Sequence, residues 1–142
     1  MKLHDFMQTE SSISNPLDLI GDAGHERYRG ALKAISEDEN VDGVLILLTP
    51  QANTEIEKTA KTVARLEKEM EKPVFTCFMG EQDVKPGIDI LEKNDIPDFE
   101  DPVDAVKAFK EMNSYRKFLE EERVFFDTDY DAEKAHERSE ER

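Results

Sequence analysis

The stretch Val41–Thr49 limits the possible folds more than any other part of this chain. From Val44 to Leu48 it is aliphatic without interruption. A strand with one solvated face alternates apolar and polar residues, whereas an unbroken apolar run suits a strand covered on both faces, as in a parallel sheet. A helix signal follows at once. Thr54-Glu55-Ile56-Glu57 has the form of a capping box, with Thr54 as N-cap and Glu57 reaching back. Ile56, Ala60, Val63, Leu66 and Met70 then keep the helical period. Buried strand followed by amphipathic helix is the repeating unit of parallel α/β folds.

The same alternation extends in both directions. Leu17–Ile20 reads as a short strand ending in Gly21-Asp22-Ala23-Gly24, and Tyr28, Ala31, Leu32 and Ile35 mark one face of a helix. Lys72-Pro73 ends the central helix and opens a strand over Val74–Met79. A break at Pro86-Gly87 precedes a short helix, Ile88–Lys93, and Ile96–Phe99 reads as a last strand. Asp101-Pro102 places an N-cap and an N1 proline before Val103, Val106, Phe109 and Met112, predicting a helix to about Glu121. With short connections and right-handed crossovers, the expected fold is α/β: a three-layer, flavodoxin-like parallel sheet of four to five strands with helices on both faces. The expected organisation is a polar lead-in over 1–14, one domain over 15–121 and an acidic extension over 122–142.

Charge and composition exclude several functions. The 142 residues carry a formal net charge of −15, which opposes nucleic acid and anionic membrane surfaces. The acidity is not confined to the tail: Glu120–Arg142 contributes −6, and the rest of the chain −9. No apolar run is long enough to span a membrane, and Met1–Glu10 has no signal-peptide core. The single cysteine, Cys77, allows neither an internal disulfide nor a cysteine-based zinc site. The expectation is a soluble cytoplasmic protein.

In an open parallel sheet, ligands bind beyond the carboxyl ends of the strands. Those ends are Gly21–Gly24, Thr49–Thr54, Met79–Glu81 and Phe99–Asp101. Thr49-Pro50-Gln51-Ala52-Asn53-Thr54 leads into a helix whose free N–H groups favour an anion, and Gln51, Asn53 and Thr54 add neutral donors. Thr54 serving only as its own helix's cap is the plain alternative. There is no phosphate loop of the G-x-x-x-x-G-K-[ST] type and no G-x-G-x-x-G fingerprint. His4, His25 and His136 do not cluster in sequence, Cys77 falls mid-strand, and no nucleophile–base arrangement or metal set is evident. The residues describe a binding module with no catalytic residues of its own.

Two blocks carry a family resemblance. Asn15-Pro16-Leu17-Asp18-Leu19-Ile20-Gly21-Asp22-Ala23, with Glu26-Arg27-Tyr28, resembles the opening of a domain in ADP-forming acyl-CoA synthetases. Val41–Ala52 is similar to that domain's second strand and its Leu-Thr-Pro-Gln-Ala loop. Lys72-Pro73-Val74 through Phe78-Met79-Gly80, then Ile96-Pro97, Phe99 and Pro102–Val106, continue the match in order, over roughly Asn15–Leu119. The resemblance implies a succinyl-CoA-synthetase-like flavodoxin domain. Such enzymes interconvert acyl-CoA, ADP and phosphate with an acid, CoA and ATP, through a phosphohistidine on a neighbouring domain. It further implies that Gly21, Asp22, Ala23, Thr49, Pro50, Gln51, Ala52, Asn53 and Thr54 face that phosphohistidine. This domain would hold no cofactor; CoA, ADP/ATP, phosphate and magnesium belong to the whole enzyme. The implied partners are a CoA-binding domain, the phosphohistidine domain and an ATP-grasp domain or subunit. Phe126-Asp127-Thr128-Asp129 through Ala135 resembles the stretch preceding the ATP-grasp part in fused members, pointing to a split gene or an excised piece. A free-standing binding or regulatory module is the alternative. His25 departs from the family pattern and inherits no role.

Overall fold

The computed structural model describes residues 12–126, with side chains to 120. The lead-in through residue 11 and the segment 127–142, including most of the Phe126–Ala135 resemblance, lie outside the described residues, as do His4 and His136. The elements run α1 (His25–Ser36), β1 (Val44–Leu48), α2 (Ile56–Glu67), β2 (Val74–Phe78), a 3₁₀ turn (Glu81–Asp83), α3 (Lys85–Glu92) and α4 (Pro102–Phe126).

The two apolar runs pair as a parallel sheet, in the register Val44↔Val74 through Leu48↔Phe78. The β1 backbone of Val44 and Leu48 bonds to β2, through Val44 N–H to the Pro73 carbonyl and Met79 N–H to the Leu48 carbonyl. The alternation directs the backbone groups of Leu45 and Leu47 to the opposite edge of β1, which pairs with no strand among the described residues. Among the described residues the sheet has these two strands, not four to five. The last predicted strand shrinks to one parallel bridge, Thr76↔Asp98, and Leu17–Ile20 forms no strand. Asp18 instead makes an antiparallel bridge with Ser12. Arg27 Nη1 holds the Leu19 carbonyl and the Asp22 carboxylate, both at 2.7 Å. That anchors the segment through its turn rather than through a strand ladder.

α1 packs on α2 and α2 on α3, a continuous helical layer over the sheet. Its core joins Leu32 of α1, Val44, Ile46 and Leu48 of β1, Ala60, Val63 and Leu66 of α2, Val74 and Phe78 of β2, and Leu91 of α3. Leu47, on the other face of β1, is 48% exposed. A second helical layer, part of the expected three-layer arrangement, is not described on that face.

Beyond the last bridge the predicted cap forms as expected: Asp101 Oδ1 accepts from Val103 N–H at 2.7 Å, with Pro102 opening α4. α4 outruns the expected end at Glu121, and the chain divides within it, between Val106 and Lys107. In the second unit Arg116 Nη1 donates to Glu120 at 2.7 Å and Nη2 to Asn113 at 3.0 Å.

Asp98 ties the bridge to the sheet. Its Oδ1 accepts from Thr76 Oγ1 at 2.8 Å and from Phe78 N–H at 3.1 Å. Burial, the largest influence, pushes its carboxyl above the ordinary range. The charged form therefore costs stability, which is lost as pH rises through the raised folded value and retained below the unfolded one. Asp98→Ala strands the Phe78 N–H, while Thr76 Oγ1 keeps the Pro97 carbonyl at 3.1 Å, and is expected to destabilise by about 1–3 kcal/mol in denaturant titration. Asp98→Asn keeps an acceptor without the charge, and its deficit relative to wild type is expected to shrink or reverse at neutral pH.

Candidate functional site

The carboxyl ends of β1 and β2 meet the turn at Gly21–Gly24, bringing three segments together. Gly21 packs against the side-chain amide of Gln51 so closely that a Cβ there would overlap Gln51 Nε2. Gly80, at φ 158°, lies against the Pro50 ring, where a Cβ would come within 2.6 Å of Cγ. The two glycines thus let the Gly21–Gly24 and Met79–Glu81 segments close on Thr49–Thr54. Thr49, Gln51, Ala52 and Asn53 are exposed, Pro50 and Thr54 half-buried. Gly21 and Asp22 are exposed, but Ala23 is 4% exposed and belongs to the wall.

The capping box predicted from sequence does not form. Thr54 Oγ1 accepts from Gln51 N–H at 2.7 Å, and Gln51's carbonyl accepts from Thr54 N–H at 2.9 Å. Thr54 is spent closing its own loop into a turn. The N-cap of α2 is Glu55, with no side-chain cap bond, and Glu57 pairs along the helix with Lys61 at 3.2 Å. A helix start without a side-chain cap leaves first-turn N–H groups open to another acceptor. The N-cap of α1, Gly24, is also without a side-chain cap. Two helices therefore begin side by side with their positive ends uncapped by side chains.

Between these starts lies a charged row that the sequence reading did not single out. His25 Nδ1 donates to Glu55 Oε2 at 2.6 Å, and Lys58 Nζ to Glu55 Oε1 at 2.6 Å. His25 Nε2 lies 3.2 Å from Glu26 Oε1, and Glu26 pairs with Arg29. Lys58 first, then His25, hold the Glu55 carboxyl down at about 2. Its ionised form supports the fold above the ordinary carboxylate range, and that support is lost as pH falls toward 2. Carboxyl-carbon NMR is expected to show Glu55 still ionised at pH 3, and Lys58→Ala to move its midpoint upward. The clue in the sequence was position: His25 opens one helix and Glu55 precedes the next.

Below the loops, a cavity of about 620 Å³ lies between Ile13–Gly21, α1 and β1, lined by Leu17, Ile20, Tyr28, Leu45 and Leu47 and reaching Thr49 and Thr54. Burial pushes the Tyr28 hydroxyl up. Cys77 is buried within β2, and burial likewise raises its thiol. Among the described residues no group of three or more His, Cys, Asp or Glu side chains could hold a metal ion, and no helix is long and apolar enough to cross a membrane.

No protein-family model matches the chain. Curated relatives do. Acetate–CoA ligase [ADP-forming] I of Archaeoglobus fulgidus is 41% identical over 133 residues, 94% of this chain and 18% of that protein. Acetate–CoA ligase [ADP-forming] of Methanocaldococcus jannaschii is 38% identical over 118 residues, 80% of this chain and 17% of its own length. The alpha subunit of acetate–CoA ligase [ADP-forming] II of Pyrococcus furiosus is 32% identical over 112 residues, 75% of this chain and 24% of the subunit. Among solved structures, a Pyrococcus horikoshii protein superposes with a TM-score of 0.66 at 33% identity, covering 70% of this chain and 24% of that one. An acetyl-coenzyme A synthetase of Ca. Korarchaeum cryptofilum, in complex with phosphate and ADP, gives 0.65 at 26%, covering 70% and 22%. The chain thus spans about a fifth of the length of the relatives it matches. It is homologous to a domain-sized segment of the ADP-forming acetate–CoA ligases.

Proposed function

We propose that this chain serves as the succinyl-CoA-synthetase-like flavodoxin domain, over about 15–121, of an ADP-forming acyl-CoA synthetase. Its part is to present the start of α2 to a phosphohistidine carried by a partner domain. The whole enzyme would convert acyl-CoA, ADP and phosphate into acid, CoA and ATP, with magnesium. CoA-binding, phosphohistidine and ATP-grasp parts come from elsewhere. The observation that carries this reading is the 41% identity running through 94% of the chain.

The chemistry of the loop supports it. A phosphoimidazole is a mobile dianion, and oriented N–H groups at a helix start stabilise such charge without a cation. The start of α2 has no side-chain cap, and Gln51, Asn53 and the Gly21-Asp22 turn surround it. Ala23 supports that turn from beneath. No side chain here takes on the covalent chemistry; the role is to bind and orient. Nothing observed favours the free-standing module.

In an enzyme reconstituted with its partner parts, single-turnover decay of the phosphohistidine on adding ADP is the direct readout. Gln51→Ala opens the joint with Gly21 and is expected to slow that decay about tenfold, the scale of a lost positioning contact. Thr54→Val unties the Gln51 turn and should act similarly. Wild-type rates in both variants would remove the loop from the relay.

A further inference from the structure

We propose that the open edge of β1, with the apolar channel beside it, receives an extended strand of a partner polypeptide, apolar at alternate positions and basic at its ends. Alternation sends the backbone groups of Val44, Ile46 and Leu48 to β2. Those of Leu45 and Leu47 point the other way and have no backbone partner among the described residues. A bare strand edge is a template for pairing, and proteins blunt such edges with charged residues or prolines. β1 reads Val-Leu-Ile-Leu-Leu and carries neither. An edge so apolar and unguarded is suited to being covered by an added strand.

The cavity lies along that edge, since Val44–Leu47 of β1 line it and no residue of β2 does. Spread over the roughly 17 Å of a five-residue strand, its 620 Å³ make a channel about 6 Å across, against a strand spacing of about 4.8 Å. One extended chain fits that width. Leu17, Ile20, Tyr28 and Ile35 give it apolar walls for alternate side chains. Charge selects the occupant. Asp18 and Asp38 are the charged residues lining the channel, with no lysine or arginine among them. Asp38 stands just ahead of β1, its carbonyl accepting from Val41 N–H at 3.2 Å. Asp18 lies three residues before Gly21, which meets Gln51 beyond the other end of the strand. The two aspartates thus stand toward opposite ends and favour a strand with basic termini. A second copy of this chain brings a net charge of −15 and the same aspartates, and is repelled. Ile13–Gly21 also walls the far side of the channel, leaving width for one strand and not for the edge of another sheet.

A fluorescein-labelled synthetic peptide, Lys-Val-Thr-Val-Thr-Val-Lys, titrated with the 142-residue chain and followed by fluorescence anisotropy, tests this. Binding is expected, and it should weaken with added salt. Replacing the central valine of the peptide by proline removes a ladder donor and should cost about tenfold, the scale of one or two net hydrogen bonds. Replacing both lysines by glutamate should cost about fivefold or more, the scale of a unit charge at close range in water. Leu47→Pro spares the ladder to β2, because the Leu47 N–H faces the open edge, and should weaken binding about tenfold as well. Amide exchange adds a readout without any substitution: the Leu45 and Leu47 amides are expected to slow when the peptide is present. No binding, or binding that the proline peptide and Leu47→Pro leave undiminished, overturns the docked strand. Equal affinity for the lysine and glutamate peptides overturns the basic-ended partner. Protection of the same two amides in the chain alone, with a dimer in sedimentation equilibrium, gives the edge to a second copy and overturns the proposal. Should Leu47→Pro fail to fold, amide exchange decides: slowed exchange at Leu45 and Leu47 supports the docked strand, and unchanged rates refute it.

Discussion

Leu48→Ala is expected to lower the unfolding free energy by about 2–5 kcal/mol, measured by denaturant titration of the full chain. Leu48 is 1% exposed and ends β1 immediately before Thr49. It sits in the cluster that joins β1 to α2, β2 and α3. Removing its side chain forfeits the transfer energy of the lost methyl groups and leaves a cavity that a packed helical layer closes only in part. Single domains are stable by about 5–15 kcal/mol, so this one change consumes a large share of the margin. Leu48→Met keeps the volume and should cost less than about 1.5 kcal/mol. A loss below about 1 kcal/mol for Leu48→Ala would mean that the sheet is not packed as described.

Gly80→Val is expected to damage the fold and the candidate site together. At φ 158° the residue has a backbone conformation that side chains rarely adopt, and the neighbour a Cβ would strike is a proline ring. Pro50 cannot swing aside as a long side chain would, so the strand-end segment or the Thr49–Thr54 loop must move. The expected cost is about 2–4 kcal/mol, combining backbone strain with the collision. Phosphohistidine decay should slow by more than tenfold even at temperatures where the variant is folded. Gly21→Ala offers the contrast, because its clash falls on the far end of the flexible Gln51 side chain. It should displace Gln51 with little loss of stability and still slow transfer. Equal stability losses at the two glycines would contradict this division.

The parts of the fold legible in sequence are those that a local pattern determines by itself. Val44–Leu48 is an aliphatic run and Val74–Phe78 a mostly apolar one with two phenylalanines; both bury, and they pair in parallel as expected. Asp101-Pro102 caps α4 because both residues act within one turn of the chain. Thr54 shows the limit of local reading. Its hydroxyl had two acceptable partners three residues away, Glu57 on one side and Gln51 on the other, and the tight Pro50-Gln51 turn took it. Leu17–Ile20 has strand-like composition, but pairing depends on partners outside the segment, and Arg27 captures the Leu19 carbonyl from a helix. Ile96–Phe99 likewise has room for one bridge before Asp98 turns its side chain onto Thr76 and Phe78. At the site, Gly21 does meet the loop Thr49–Thr54 through Gln51, although no strand precedes it. Which side chains meet there was not legible. Gly21 and Gln51 are thirty residues apart, as are His25 and Glu55, and only the fold brings them together.

The most direct measurement of the central claim is ATP formation from acetyl-CoA, ADP and phosphate by a synthetase deleted for this segment, with and without the 142-residue chain. The account predicts that adding the chain restores ATP formation, and that chain carrying Gln51→Ala restores markedly less. A folded chain that binds the truncated enzyme yet leaves it inactive would contradict the relay role.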